Sequence, residues 1–175
     1  MSYAHYWMWE NPMTDSERFS MWSRDVGMLL EEYPDYPNHW YYEGHIPVPL
    51  PKNWAMKKIC GPFGTGEPII TKTEVAFNGD GEAHNMHDGF RIRFEELQQP
   101  HGFRGCRTNC KPYDLLVTAA LVRLRSYFPE VYLSSDGKER GFQQGAQFCR
   151  DVFGIGEIPE DIVDEDLLER LYAPE

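Results

Sequence analysis

The chain has 175 residues, a formal net charge of −11 and an aromatic content of 14 %. That length suits one domain with its own core, and the aromatic content argues against disorder. Net acidity disfavours a nucleic-acid partner, because neutralising phosphate needs lysine and arginine.

The charge is uneven. Residues 151–175 hold nine of the 28 acidic residues and one of the 17 basic ones. Met1 to Glu10 lacks a basic start followed by a plain apolar run, so no secretory signal is expected. Cys60, Cys106, Cys110 and Cys149 are therefore read as free thiols in a reducing cytoplasm.

Tyr3 to Trp9 is aromatic, ends at Asn11-Pro12, and is predicted to be a core strand. Thr14-Asp15-Ser16-Glu17 matches a capping box, with Thr14 as the cap. Phe19, Trp22, Val26, Leu29 and Leu30 then recur at helical spacing, predicting an amphipathic helix to about Tyr33 packed on a sheet. Five prolines between Pro34 and Pro51 predict a long ordered loop pinned by aromatics, with strand allowed only at an edge.

Lys57 to Pro68 holds Gly61, Gly64 and Gly66. Glycine-rich loops can cradle phosphate, but here a strand follows rather than a helix, so an ordinary turn is expected. Ile69 to Asn78 reads as one strand, and Phe90 to Phe94 alternates as a second, forming a hairpin with a long connection at 79–89. Arg104 to Lys111 reads as a polar loop. Pro112 is placed at the start of a helix over about 112–127, apolar on nearly every face from Leu115 to Leu124 and so buried. At roughly 15 residues that helix is too short to cross a bilayer, which needs ~20.

A short strand, Val131 to Leu133, is expected to end at a Ser134-Ser135-Asp136-Gly137 turn. A helix from about Glu139 to Phe153 follows. A last acidic helix at about 160–172 is expected to dock through Ile162, Val163, Leu167 and Leu171. The whole reads as one α+β domain over 1–175: a mostly antiparallel sheet, the central helix buried on it, and flanking helices.

The chemistry concentrates in the turns. Arg107, Thr108, Asn109 and Lys111 precede the central helix, whose positive end favours anions. Ser134, Ser135 and Asp136 follow the next strand, and Asn78 and Asp80 belong to the turn after the first hairpin strand. These nine are the candidate ligand-binding residues. A helix cap at Asn109 and a solvated Lys111 are the plain alternative. His84, His87, His101, Cys106 and Cys110 give only loose metal spacings, so no metal and no cofactor is expected. Cys106 or Cys110 as a nucleophile would need a lowered pKa, which the helix start and Arg107 or Lys111 would supply.

Phe77-Asn78-Gly79, Lys111-Pro112-Tyr113-Asp114 and Ser134-Ser135-Asp136-Gly137, taken together, resemble a family of bacterial and phage-type proteins of unknown function. The resemblance covers roughly residues 60–153 and implies that the three turns matter together. It implies no activity.

The first functional expectation is a non-catalytic binder of a small phosphorylated or nucleotide-like ligand, stacked on an aromatic such as Trp40 or Tyr41. A phage-type sequestering protein fits that description. The second is an enzyme on such a ligand, with Asp80, His84 or Asp136 as general acid or base. The third is an interaction or inhibitor module that uses its acidic tail. A protein partner or self-association stays open, and no membrane partner is expected.

Overall fold

Ala4–Trp9 forms strand β1, whose side chains are all buried except that of the half-buried Tyr6. Such a strand needs cover on both faces and partners on both edges. The computed structural model describes residues 3–36 and 58–163, together with the backbone of 40–43 and 46–49.

Helix α1 (Ser16–Glu32) follows β1. Asp15 caps it, accepting from the Arg18 N–H at 3.0 Å, so the cap lies one residue after the expected Thr14. Its buried stripe of Phe19, Trp22, Val26 and Leu29 matches the predicted spacing. Tyr33–Asp35 adds a 3₁₀ turn.

Strands β2 (Trp40–Glu43) and β3 (Ile46–Pro49) pair antiparallel. In a two-stranded ribbon each strand is an edge, which is where Pro47 and Pro49 are tolerated. The remainder of the proline-rich segment, and the side chains of Trp40 and Tyr41, lie outside the described residues.

Strands β4 (Ile59–Cys60), β5 (Ile69–Ile70) and β6 (Glu74–Gly79) come next. The single strand expected over 69–78 is thus two, joined by a turn. Thr71 Oγ accepts from the Glu74 N–H at 3.0 Å and reverses the chain. Asn78 and Gly79 end strand β6 rather than making the turn themselves. Strand β7 (Phe90–Arg93) pairs with β6 in the predicted hairpin, with Phe77 opposite Phe90 and Val75 opposite Ile92. A single helical turn, α2 (Phe94–Leu97), follows.

Gly102–Arg107 is strand β8, where a loop was expected. Only Cys106 is buried on it, so it carries no apolar alternation. Its conformation comes from antiparallel pairing with β1. Helix α3 (Asp114–Tyr127) starts two residues after Pro112 and is buried along most of its length. Strand β9 (Tyr132–Ser135) takes in Ser134 and Ser135, which were expected in a turn. A 3₁₀ segment, Lys138–Phe142, leads into helix α4 (Gln143–Phe153), which ends at Gly154 in the left-handed region (φ 79°).

All strand pairings are antiparallel. One sheet has the order β8-β1-β9; in another, β6 is the common partner of β4, β5 and β7. With its helices this is an α+β fold. Helix α3 sits at the centre of the core, packed by α4 and α1 as well as by sheet residues. Helix α1 therefore faces chiefly a helix, not the sheet expected for it; Trp22 Nε1 donates to the Ala120 carbonyl at 2.9 Å. Among the described residues no helix is long and apolar enough to cross a membrane.

Residues 160–163 form a turn and an extended end, not the start of a helix. Val163 is buried and its N–H donates to the Leu133 carbonyl at 3.0 Å, while Ile162 packs against the core. Leu167 and Leu171 lie outside the described residues.

Candidate functional site

The first residues of β1 gather two turns because β1 lies between β8 and β9. On one side, the Thr108 and Asn109 N–H groups both donate to the Tyr3 carbonyl at 3.0 Å. Asn109 Oδ1 accepts from the Tyr3 N–H at 3.0 Å. On the other side, the Ala4 N–H donates to Asp136 Oδ2 at 2.9 Å, and the Asp136 N–H donates to the Ala4 carbonyl at 3.0 Å.

His5 joins the two turns through its side chain. Its ring is fully buried, with Nε2 2.6 Å from Asp114 Oδ1 and Nδ1 2.9 Å from Ser135 Oγ. The carboxylate can only accept, so Nε2 carries a proton, and Nδ1 shares a hydrogen bond with the Ser135 hydroxyl. Ser135 Oγ in turn accepts from the Gly137 N–H at 3.1 Å, and Thr108 Oγ donates to the same Asp114 oxygen. The connectivity is that of a serine–histidine–aspartate relay. It is closed, however: Ser135 is 4 % exposed, and a Cβ at Gly141 would collide with its Oγ.

The 80–89 connection is fastened to the same place. Asn78 holds His87 by its backbone, donating to the His87 carbonyl at 2.7 Å and accepting its N–H at 3.2 Å. His87 Nδ1 donates to the Arg107 carbonyl at 2.8 Å, and Nε2 accepts from Asn109 Nδ2 at 2.9 Å. The Asp88 N–H donates to the Arg107 carbonyl, and Tyr113 Oη donates to the Asp88 carbonyl at 2.7 Å. Lys111 Nζ donates to the His84 carbonyl at 3.1 Å. The three motifs around Asn78, Lys111 and Ser134 thus share one hydrogen-bonded network.

Most of the expected binding residues serve that network. Asn78, Thr108, Asn109, Ser135 and Asp136 bond to protein as described. Ser134 Oγ donates to the Val163 carbonyl, and Asp80 Oδ1 accepts from the Glu82 N–H at 3.1 Å. The helix start already holds a carboxylate, Asp114. The Asp114 and Leu116 N–H groups are taken by the Lys111 and Tyr113 carbonyls.

Arg107 differs. It is exposed, and its guanidinium makes no hydrogen bond or ion pair among the described residues. Asn109 and Cys110 both sit in the left-handed region (φ 50° and 57°), a strained pair beside it.

The expected lowering of the cysteine pKa is reversed. Burial, with Asp114 and Asp136 adding to it, pushes the Cys110 thiol up to about 12. Burial and the Asp114 and Asp88 carboxylates raise Cys106 as well. Neither is poised as a nucleophile at neutral pH. His87, whose two ring nitrogens are engaged by Arg107 and Asn109, is not a free metal ligand.

Sequence reasoning missed His5, Tyr113 and Asp114 as members of the site. A histidine in an otherwise apolar aromatic strand was the visible signal for His5. Asp114 stood in the quoted Lys111–Asp114 motif but read as a helix residue.

A groove of about 310 Å³ lies elsewhere, lined in part by Arg123, Arg125, Cys149 and Glu157. Both of its arginines are paired, with Asp25 and Asp161, so it offers little charge to a ligand. The chain matches no protein-family model, no curated protein and no solved structure.

Proposed function

We propose that this protein is a non-catalytic binder of a small phosphorylated, nucleotide-like ligand, held by Arg107 and Lys111 at the rim of the polar network. The observation that carries the reading is the unpaired guanidinium of Arg107. Among the described residues Arg18, Arg91, Arg93, Arg104, Arg123, Arg125 and Arg150 have carboxylate, carbonyl or amide partners, whereas Arg24, Arg107 and Arg140 have none; of those three, Arg107 is the one whose own backbone belongs to the polar network. Its guanidinium has no partner among the described residues, and its backbone is held by His87, Asp88 and Tyr113. An exposed guanidinium on a held backbone is suited to bidentate contact with phosphate. Lys111 is a point charge on the same loop.

The enclosed Ser135 and His5, and the internal bonds of Asp80 and Asp136, support a binder over an enzyme. A cytoplasmic setting fits the four free thiols. A sequestering role of phage type rests on the resemblance of the three motifs alone.

A thermal-shift screen of nucleotides and phosphorylated metabolites, followed by calorimetric titration, tests the reading. A charge-assisted hydrogen bond to phosphate is worth roughly 1.5–3 kcal/mol, so Arg107→Ala should weaken binding about tenfold or more. Arg107→Ala and Lys111→Ala both binding as tightly as the parent protein would overturn it, as would a screen without a hit.

A further inference from the structure

We infer that Phe63 is the aromatic platform of this site, and that its ligand carries a planar ring set apart from its phosphate, as a nucleotide does. The inference rests on the anion-binding reading of Arg107 and Lys111. Of the ten phenylalanines, seven are buried and Phe103 and Phe153 are half-buried, while Phe63 is 77 % exposed. Exposure alone would mean little at a mobile tip, but this tip is built. The Gly61 N–H donates to both the Thr65 and Gly66 carbonyls at 3.1 Å, and the Gly64 N–H donates to the Gly61 carbonyl at 2.9 Å. Gly64 adopts φ +81°, a conformation that a side chain would strain.

The tip is also tied to the network. Asn78 Nδ2 donates to the Pro62 carbonyl at 3.0 Å and, with the same amide, to the His87 carbonyl. The Gly81 N–H donates to the Gly64 carbonyl at 2.8 Å. Met86, 37 % exposed, lays its sulfur against Gly64. His84, whose carbonyl holds the Lys111 ammonium, is two residues from Met86, at most about 7 Å along the chain. An exposed ring on a hydrogen-bonded tip, a polarisable thioether and the site's cation thus lie on three neighbouring loops tied to one another through Asn78, Gly81 and His84. A π-face with cations nearby is what stacks a base while its phosphate is neutralised.

The experiment is calorimetric titration of ADP and AMP, which carry a ring, against ribose 5-phosphate and pyrophosphate, which carry none. Phe63→Ala should weaken ADP and AMP about tenfold and leave the ring-free anions unchanged, since stacking is worth about 1–3 kcal/mol per base. Phe63→Trp should restore affinity and Phe63→Leu should not. Arg107→Ala should weaken ring-bearing and ring-free ligands alike. If Arg107→Ala does so and Phe63→Ala changes nothing, or weakens both classes equally, the platform is wrong while the anion site stands. If none of the four binds, or Arg107→Ala and Lys111→Ala are both without effect, both fall.

Discussion

Asp25 and His5 are both buried ionisable side chains, but they are satisfied in different ways. Asp25, on α1, meets Arg123 of α3 at 2.8 Å and accepts from Tyr127 Oη at 2.6 Å; Phe153 stacks on the guanidinium at 4.2 Å. That cluster balances charge with charge and ties two helices. His5 sits in a chain of hydrogen bonds from Gly137 through Ser135 to Asp114, whose carboxyl is 22 % exposed. That chain ties turns to a strand and reaches the surface at Asp114, which also accepts from Thr108, the residue after Arg107. The ion pair makes a closed joint between secondary-structure elements. The relay makes a scaffold that fixes the loop carrying Arg107, whose guanidinium has no partner among the described residues.

The sharpest break in this comparison is expected from Asp25→Ala, which strands a guanidinium that is 18 % exposed. Removing one partner of a buried pair costs about 3 kcal/mol or more. Urea unfolding should show that loss. The double replacement Asp25→Leu with Arg123→Met should recover most of it, and a loss below about 1 kcal/mol for Asp25→Ala would mean the pair is effectively solvated.

His5→Leu should come next, at about 2 kcal/mol. It leaves the Ser135 hydroxyl without its ring partner, but water can reach the carboxyl that Nε2 vacates. A double-mutant cycle between His5→Leu and Asp114→Asn should give a coupling of about 1 kcal/mol. Additive losses would show that the two side chains act independently.

The Cys110 thiol sharpens the comparison from the solvent side. Its folded pKa, pushed up to about 12, lies above the ordinary thiol value of 9.0. The stability contributed by the neutral thiol is therefore whole below about pH 9 and is lost progressively as pH rises toward 12. Native alkylation at pH 8 should run on the order of a thousandfold slower than in urea, in proportion to the thiolate fraction. Prompt labelling of Cys110 in the folded protein would contradict the closed setting.

The smallest effect is expected from Asp88→Asn. Asp88 Oδ2 lies 3.3 Å from the Arg107 backbone nitrogen, and the carboxylate is exposed. Its removal should tighten anion binding about threefold at low salt and less at high salt. A weakening instead would make Asp88 part of the ligand contact.

The elements that were legible were those with strong local periodicity. The α1 stripe, the Phe77–Phe90 hairpin and the apolar α3 follow from residue spacing alone. Gly102–Arg107 was illegible as a strand because one buried cysteine gives no alternation. The split of 69–78 was hidden because Thr71 reverses the chain with a single hydroxyl rather than with glycine or proline. At the site, the polar turns stood out by composition. Their bonding did not, because a side chain that can hold phosphate can equally hold a backbone amide, as Asn109 and Asp136 do.

The sequence by itself therefore determined the α+β class, the buried central helix and the loops in which the polar chemistry sits. These depend on patterns a few residues long and on the burial those patterns demand. Only the tertiary structure decided that β1 lies between β8 and β9, that His5 bridges Asp114 and Ser135, and that the Arg107 guanidinium has no partner among the described residues. Those contacts span 109 and 130 residues of chain. Partners that far apart are chosen by how the packed sheet and helix α3 bring their ends together, which no local pattern encodes.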